Sequence, residues 1–331
     1  MKDIQPGIYA GLSNAEYHGG PGVSKSGLDK IRKSPAHFNE AMKKGYSEPT
    51  VSQRLGTLAH ALLLEPETFW DIYALPFDAP EGALSTMDDM KARLKDLDQP
   101  VSGKKPDLID RLRGVDPDAV FLDDAKASYA EGVGAREVIT AEEFEKVEGM
   151  RDAVMAHPKA GKLLAPGSGV AELSCYWRDP ETGVLCRCRP DWWRNDGVVV
   201  DLKTARDASP EGFSKSINDW RYYVQDPFYT DGATAALEQG PQDVPAPEKP
   251  KAFAFVAVEP VKPYAVGVYY LEPQSRDIGR REYREDIARY AECLNADQWP
   301  AYSEKIEPIG LPGWRLAREE FNNDEEGVYV A

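Results

Sequence analysis

The chain has 331 residues, 42% hydrophobic and 29% charged, the proportions of a folded globular protein and not of a disordered one. Lysine and arginine number 40 against 56 aspartate and glutamate; the formal charge of −16 opposes indiscriminate binding to a polyanion and confines any such affinity to a local, metal-assisted site. No apolar run reaches the ~18 residues of a membrane span, residues 1–7 lack the apolar stretch of a secretory signal, and four cysteines without a CxxC pair argue against a disulfide scaffold, zinc or iron–sulfur, so a reducing cytoplasm is expected.

Residues 1–23 hold two turn clusters, Pro6-Gly7 and Gly19-Gly20-Pro21-Gly22, and read as an extended arm or a short strand. Ser24 or Ser26 is placed to cap a helix through Leu28 and Ile31, and Ser34-Pro35 opens another with proline at its first position. Residues 51–64 form a strongly apolar helix. Gly56 costs it about 1 kcal/mol relative to alanine, which points to close packing or a ligand on that face.

From about 78 to 135 charged and turn residues dominate. Within this stretch Met87, Met90, Leu94 and Leu97 mark one helix, and Leu108, Ile109 and Leu112 a second after a Pro100/Gly103 break. Thr140 and Glu143 form a capping box for a helix to about His157. A β-rich region follows: 171–177 and 184–193 flank the turn Asp179–Gly183, and 197–203 is a third strand. An aromatic helix near 220–238, strands at 251–258 and 264–271 and a charged helix near 275–296 complete the chain. The order predicts an α/β fold with a mixed central sheet flanked by helices.

Pro190-Asp191 stands just upstream of Asp201-Leu202-Lys203. Alternation along a strand puts Asp201 and Lys203 on one face and Val200 and Leu202 on the other, while Arg187, Arg189 and Asp191 share a face of the preceding strand. Pairing of the two strands would bring two carboxylates and an ammonium together beside two guanidiniums. Clustered carboxylates repel unless a cation lies between them, and hard oxygen ligands select Mg²⁺ or Mn²⁺. With Lys203 to orient or deprotonate a water, or to stabilise charge on a phosphate, these parts suit phosphodiester hydrolysis. The competing reading is a surface-turn aspartate beside an exposed strand end.

Pro190-Asp191…Asp201-Leu202-Lys203 resembles the PD-(D/E)xK nuclease signature. Gly56–His60 is similar to the GxxxH helix of RecB-type nucleases, and Gln225–Tyr229 to their QxxxY helix. Gly22–Leu28 and Arg54–Pro66 resemble RecE-type exodeoxyribonucleases (exodeoxyribonuclease VIII-like); the likeness spans about 5–75 and 140–295. It implies a PD-(D/E)xK nuclease core of residues 1–80 and 136–297, an insert at 81–135 and a C-terminal strap at 298–331. Asp191, Asp201 and the Leu202 carbonyl would hold two Mg²⁺ (or Mn²⁺) ions, with His60 as a ligand or neighbour and Glu172 as a further acidic ligand. Lys203 would be the catalytic lysine, and Gln225 and Tyr229 would face the site. For Glu172 a solvated side chain and for Tyr229 a core role are the alternatives.

Ser24, Lys25 and Ser26 at a helix start are candidates for a terminal phosphate, against ordinary capping. Arg54 and Arg189 are candidate phosphate clamps. Trp192 and Trp193 either stack on bases or pack on both sides of a sheet. Within the insert, 84–113 looks like a SAP-type helix–extended–helix module with Lys104, Lys105, Arg111 and Arg113 as possible phosphate contacts, although Asp88, Asp89, Asp96 and Asp98 dilute its basic character.

The resemblance implies a metal-dependent exonuclease that digests linear double-stranded DNA from its ends, 5′→3′. It would leave 3′ single strands for a RecT-type single-strand annealing protein. Protomers would close into a homo-oligomeric ring around DNA, with no part for a membrane. A structure-specific endonuclease or nickase on the same core, and a non-catalytic DNA-end-binding protein working through the insert, are the competing functions.

Overall fold

The structure, a computed structural model, describes residues 4–44, 50–242, 247–313 and 315–316. The arm supplies β1 (Gly7–Tyr9) and α1 (Asn14–Gly19). This first helix is absent from the turn-based reading and is capped by a Ser13/Glu16 box. Ser24 caps α2 (Lys25–Lys33), and α3 (Pro35–Lys44) starts on its proline. The apolar segment forms α4 (Val51–Leu64), followed by α5 (Pro66–Ile72) and the short β2 (Tyr73–Ala74).

The charged stretch contains α6 (Met87–Asp96), α7 (Lys105–Val115) and α8 (Leu122–Val133), then β3 (Glu137–Val138). Met90, Leu94, Leu108, Leu112 and Phe121 form a separate small apolar cluster there. Parallel pairing of β2 with β3 joins the two ends of the stretch. No residue of α8 is buried, which explains why apolar periodicity does not reveal it.

The rest comprises α9 (Ala141–Ala156), α10 (Ala160–Leu163), β4 (Gly169–Ala171), β5 (Ser174–Arg178), β6 (Leu185–Cys188), β7 (Trp192–Arg194), β8 (Val198–Thr204), α11 (Pro210–Asp219), α12 (Tyr222–Gln239), β9 (Ala252–Val258), β10 (Val266–Tyr269) and α13 (Pro273–Ala296). Five strands form the mixed central sheet in the order β10-β9-β8-β7-β4, with β8 and β9 parallel and the other neighbours antiparallel. The parallel pair needs a crossover, and α11 and α12 provide it.

Each face of the sheet closes a core. Val199, Phe253 and Phe255 pack with Val224 and Phe228 of α12, while Val200, Leu202 and Val256 pack with Leu58 and Leu62 of α4 and Val147 of α9. Trp193 lies in the first core and Trp192 in the second, so the tryptophan pair packs on both sides of the sheet. Trp299 stacks on Phe38 at 5.6 Å, and Pro300 accepts the Ala36 N–H at 3.1 Å, docking the start of the C-terminal segment on α3 of the same chain. Trp314 and residues 317–331 of the expected strap lie outside the described residues.

The predicted hairpin exists, with Tyr176 opposite Arg187 and Asp179 Oδ1 closing the turn through the Glu181 and Thr182 N–H groups. Its arms are not continuous strands. Both break at the same level, and the distal halves β5 and β6 join β1 in a separate three-stranded sheet. Pro190 has no N–H for a ladder, and Glu172 takes a left-handed backbone (φ 52°). The Glu172 N–H bonds the Asp191 carbonyl at 3.2 Å across the break. The interruption that ends both strands is what frees these two acidic side chains from sheet alternation.

Candidate active site

β8 carries the site. Asp201, opposite Phe255 of β9, is 1% exposed and pairs with Lys203 on the same face. Gln225 of α12 donates its Nε2 to Asp201 Oδ1 at 2.5 Å, so the predicted helix face does meet the Asp-x-Lys strand. Burial works against the Lys203 charge, but Asp201, Asp191 and the Tyr222 ring outweigh it and raise its pKa. Lys203 is therefore held as an ammonium ion, 4.7 Å from the centre of the Tyr222 ring. Sequence reading missed Tyr222, although its place three residues before Gln225 puts it on the same helix face.

Asp191 stands at the strand break, one step beyond the Trp192–Val200 pair. Its Oδ2 accepts the Leu202 N–H at 2.7 Å. On the opposite side α4 crosses β8, and Gly56 allows this approach: a Cβ there would lie 3.3 Å from Thr204 Oγ1. One turn later, His60 Nε2 is 2.8 Å from the Leu202 carbonyl. A carbonyl only accepts, so Nε2 carries a proton, which leaves Nδ1, 3.6 Å from Asp191 Oδ2, as the ring atom able to meet a cation.

Donor atoms of His60, Glu172 and Asp191 lie within 4.8 Å of one another. Burial first, and then neighbouring acids, push the Glu172 and Asp191 carboxyls above the ordinary carboxylate range. A divalent cation would relieve this repulsion; the two carboxylates are oxygen donors that Mg²⁺ or Mn²⁺ takes, and the imidazole would be a ligand or a neighbour of the ion. The residues fit the metal that the sequence implies, with one rearrangement. Asp201 lies outside the group, engaged by Lys203 and Gln225, and the Leu202 carbonyl is taken by His60. The acid beside Asp191 is Glu172.

Other candidates are distributed differently. The Tyr229 ring packs edge-on to Phe253 at 6.3 Å against the main core. Ser24 caps α2 through the Gly27 N–H and bonds Ser26 at 3.0 Å. Lys25 turns inward to Asp29 and the Trp220 carbonyl. Arg189 was expected to face phosphate, but it is buried: it bonds Ser174 Oγ, Asn14 Oδ1 and the Leu12 carbonyl and stacks over Tyr17 at 4.0 Å. Its neighbour Arg187 likewise holds the arm through the Tyr17 and His18 carbonyls. Arg54 is engaged by Glu143 and Glu137. In the insert Lys105 pairs with Asp123 and Arg113 with Asp124, both on α8, Arg111 bonds the Pro100 and Ser102 carbonyls, and Lys104 is exposed at the start of α7.

No curated protein matches the chain. Its fold is similar to the crystal structure of a "Putative exonuclease" from Eubacterium rectale, with a TM-score of 0.52 over 93% of this chain and 98% of that one at 11% identity, a likeness of fold alone. Residues 24–312 match the family described as "PDDEXK-like domain of unknown function (DUF3799)", and the chain belongs to that family.

Proposed function

We propose that the chain is a Mg²⁺-dependent deoxyribonuclease that digests linear duplex DNA as an exonuclease, 5′→3′, leaving 3′ single strands for a RecT-type annealing partner. One observation carries the nuclease reading: His60 and Asp191 bond the Leu202 carbonyl and N–H and share a donor group with Glu172, while Lys203, the next residue of β8, carries its ammonium within electrostatic reach of Asp191. A divalent ion, when bound, polarises a phosphodiester and lowers the pKa of water. His60, Glu172 and Asp191 would hold it. Lys203 stabilises negative charge on the phosphate oxygens, and Gln225 and Asp201 keep its ammonium in place. End-specific digestion, two ions per site and ring assembly rest on the RecE resemblance of Gly22–Leu28 and Arg54–Pro66. Threading by a ring would reconcile a charge of −16 with a DNA substrate. A DNA-contacting part for Lys104, Lys105 and Arg111 rests on the SAP resemblance.

Linear duplexes labelled at the 5′ or the 3′ end, and a covalently closed circle, incubated with Mg²⁺ or with EDTA, test the proposal. The expected result is Mg²⁺-dependent loss of linear duplex, 5′ label first, with the circle intact. Cutting of the circle would make the enzyme an endonuclease, and a mobility shift without hydrolysis would leave only end binding.

A further inference from the structure

Beyond Lys203, β8 ends beside a cavity of about 90 Å³ lined by Lys203, Thr204, Arg206, Ser216, Trp220 and Tyr222. Two of these residues, Arg206 and Trp220, are exposed. Arg206 is exposed, without a hydrogen bond or ion pair among the described residues. It forms no ion pair with its neighbour Asp207, whose carboxylate is turned to the Ser209 N–H at 2.9 Å and to Gly212 at the start of α11. The Trp220 residue is 65% exposed.

The backbone beneath this indole is held with unusual firmness. The Trp220 carbonyl accepts a hydrogen bond of 2.5 Å from Lys25, a lysine only 9% exposed that also pairs with Asp29 at 2.8 Å. The next residue, Arg221, takes a left-handed backbone (φ 52°) and binds Asp29, Glu282 and Asp286 at 2.7–3.0 Å. Burying such cations costs desolvation, which their carboxylate partners offset. Lys25 and Lys203 both approach the ring of Tyr222, at 5.7 and 4.7 Å, so the anchor of the indole and the site lysine share one aromatic support. A rigid backbone that leaves a flat aromatic face in water, beside an unpaired guanidinium and next to the site lysine, matches a nucleotide in shape and charge.

We propose that Trp220 and Arg206 form a subsite for one unpaired nucleotide adjoining the phosphodiester held at Lys203. The indole stacks on the base and the guanidinium meets a neighbouring phosphate. The base has to leave the duplex stack to reach the indole, so the enzyme engages a frayed end or a short single-stranded overhang. This subsite rests on the nuclease reading.

The test uses the full chain with Mg²⁺ and labelled duplexes bearing a short overhang, intact or with one abasic residue placed at successive positions. Trp220→Ala should raise KM roughly 5- to 150-fold, the range that loss of one stacked base gives, and Trp220→Phe should recover most of it. An abasic residue at one position should weaken the natural protein by a similar factor and leave Trp220→Ala no worse, a signature that a merely structural role would not produce. Arg206→Ala should lower the slope of log KM against log salt by about one. Unchanged KM in Trp220→Ala, or equal abasic sensitivity in that variant and the natural protein, overturns the subsite. If the natural protein cuts DNA and these variants match it, only the subsite fails; if the natural protein does not cut DNA, the nuclease reading fails with it.

Discussion

Asp191 Oδ2 accepts the Leu202 N–H at 2.7 Å, and His60 Nε2 meets the Leu202 carbonyl at 2.8 Å, so one residue of β8 fixes two candidate metal ligands through its own backbone. The Leu202 side chain, 1% exposed, is locked in the core beneath α4. The donor geometry is thereby tied to the buried middle of a central strand and not to a loop, which preorganises it before any ion binds.

Lys203→Ala should keep the fold, because Gln225 still donates to the buried Asp201 carboxylate, and should lower cleavage by about 10²–10³-fold through lost charge stabilisation. Single-turnover cleavage beside a thermal melt checks this. Near-normal turnover in a folded Lys203→Ala protein would remove the lysine from the chemistry.

His60→Ala and Asp191→Asn should each weaken Mn²⁺ binding by at least about tenfold, read by isothermal titration calorimetry. Asp201→Asn should cost less in binding than in cleavage, because Asp201 serves Lys203 and not the His60/Glu172/Asp191 group. Equal losses of Mn²⁺ affinity in all three would place Asp201 among the ligands. EDTA should stop turnover, and excess Mg²⁺ should restore it.

Gly279→Ala should destabilise the protein by about 1–3 kcal/mol through overpacking. A Cβ at Gly279 would meet the Tyr223 carbonyl at 1.9 Å, a backbone atom that cannot swing aside. Tyr223 is four residues before Pro227, whose ring nitrogen has no N–H to offer that carbonyl. Here α13 comes against the proline-interrupted stretch of α12, and urea titration reads the cost. An unchanged midpoint would mean that the two helices are free to separate.

Asp89 caps α6 by accepting the Ser85 and Thr86 N–H groups at 3.0 and 2.7 Å. The Thr86 bond and then those from Ser85 pull its pKa down to about 2 from an ordinary 3.8. A lowered carboxyl stabilises the folded state above its unfolded pKa and loses that effect as pH falls through the folded value. The insert should therefore loosen between about pH 4 and pH 2, and Asp89→Ala should remove this dependence. Amide exchange of α6 across this range measures it; the same acid response in Asp89→Ala would assign it to another group.

Much of the scaffold is legible locally. Thr140 with Glu143 and Ser34-Pro35 mark helix starts that the structure places where capping chemistry puts them. The hairpin turn follows from its Asp-Pro-Glu-Thr-Gly run. Helices without an apolar stripe, such as α8, leave no periodic trace, and the breaks at Glu172 and Pro190 are hidden inside apparently continuous β-pattern.

Residue chemistry in the sequence alone determined that acids, an amine and an imidazole would be available near Asp191, Asp201-x-Lys203 and His60, and that Gln225 and Tyr229 would share a helix face. Tertiary structure alone decided their partners: Glu172 with Asp191 and His60, Asp201 with Lys203 and Gln225, and Arg189 and Lys25 with internal carbonyls, hydroxyls and acids. The reason is physical. Periodicity states which way a side chain points from its own element, whereas charge, burial and ligation depend on what distant segments bring to meet it.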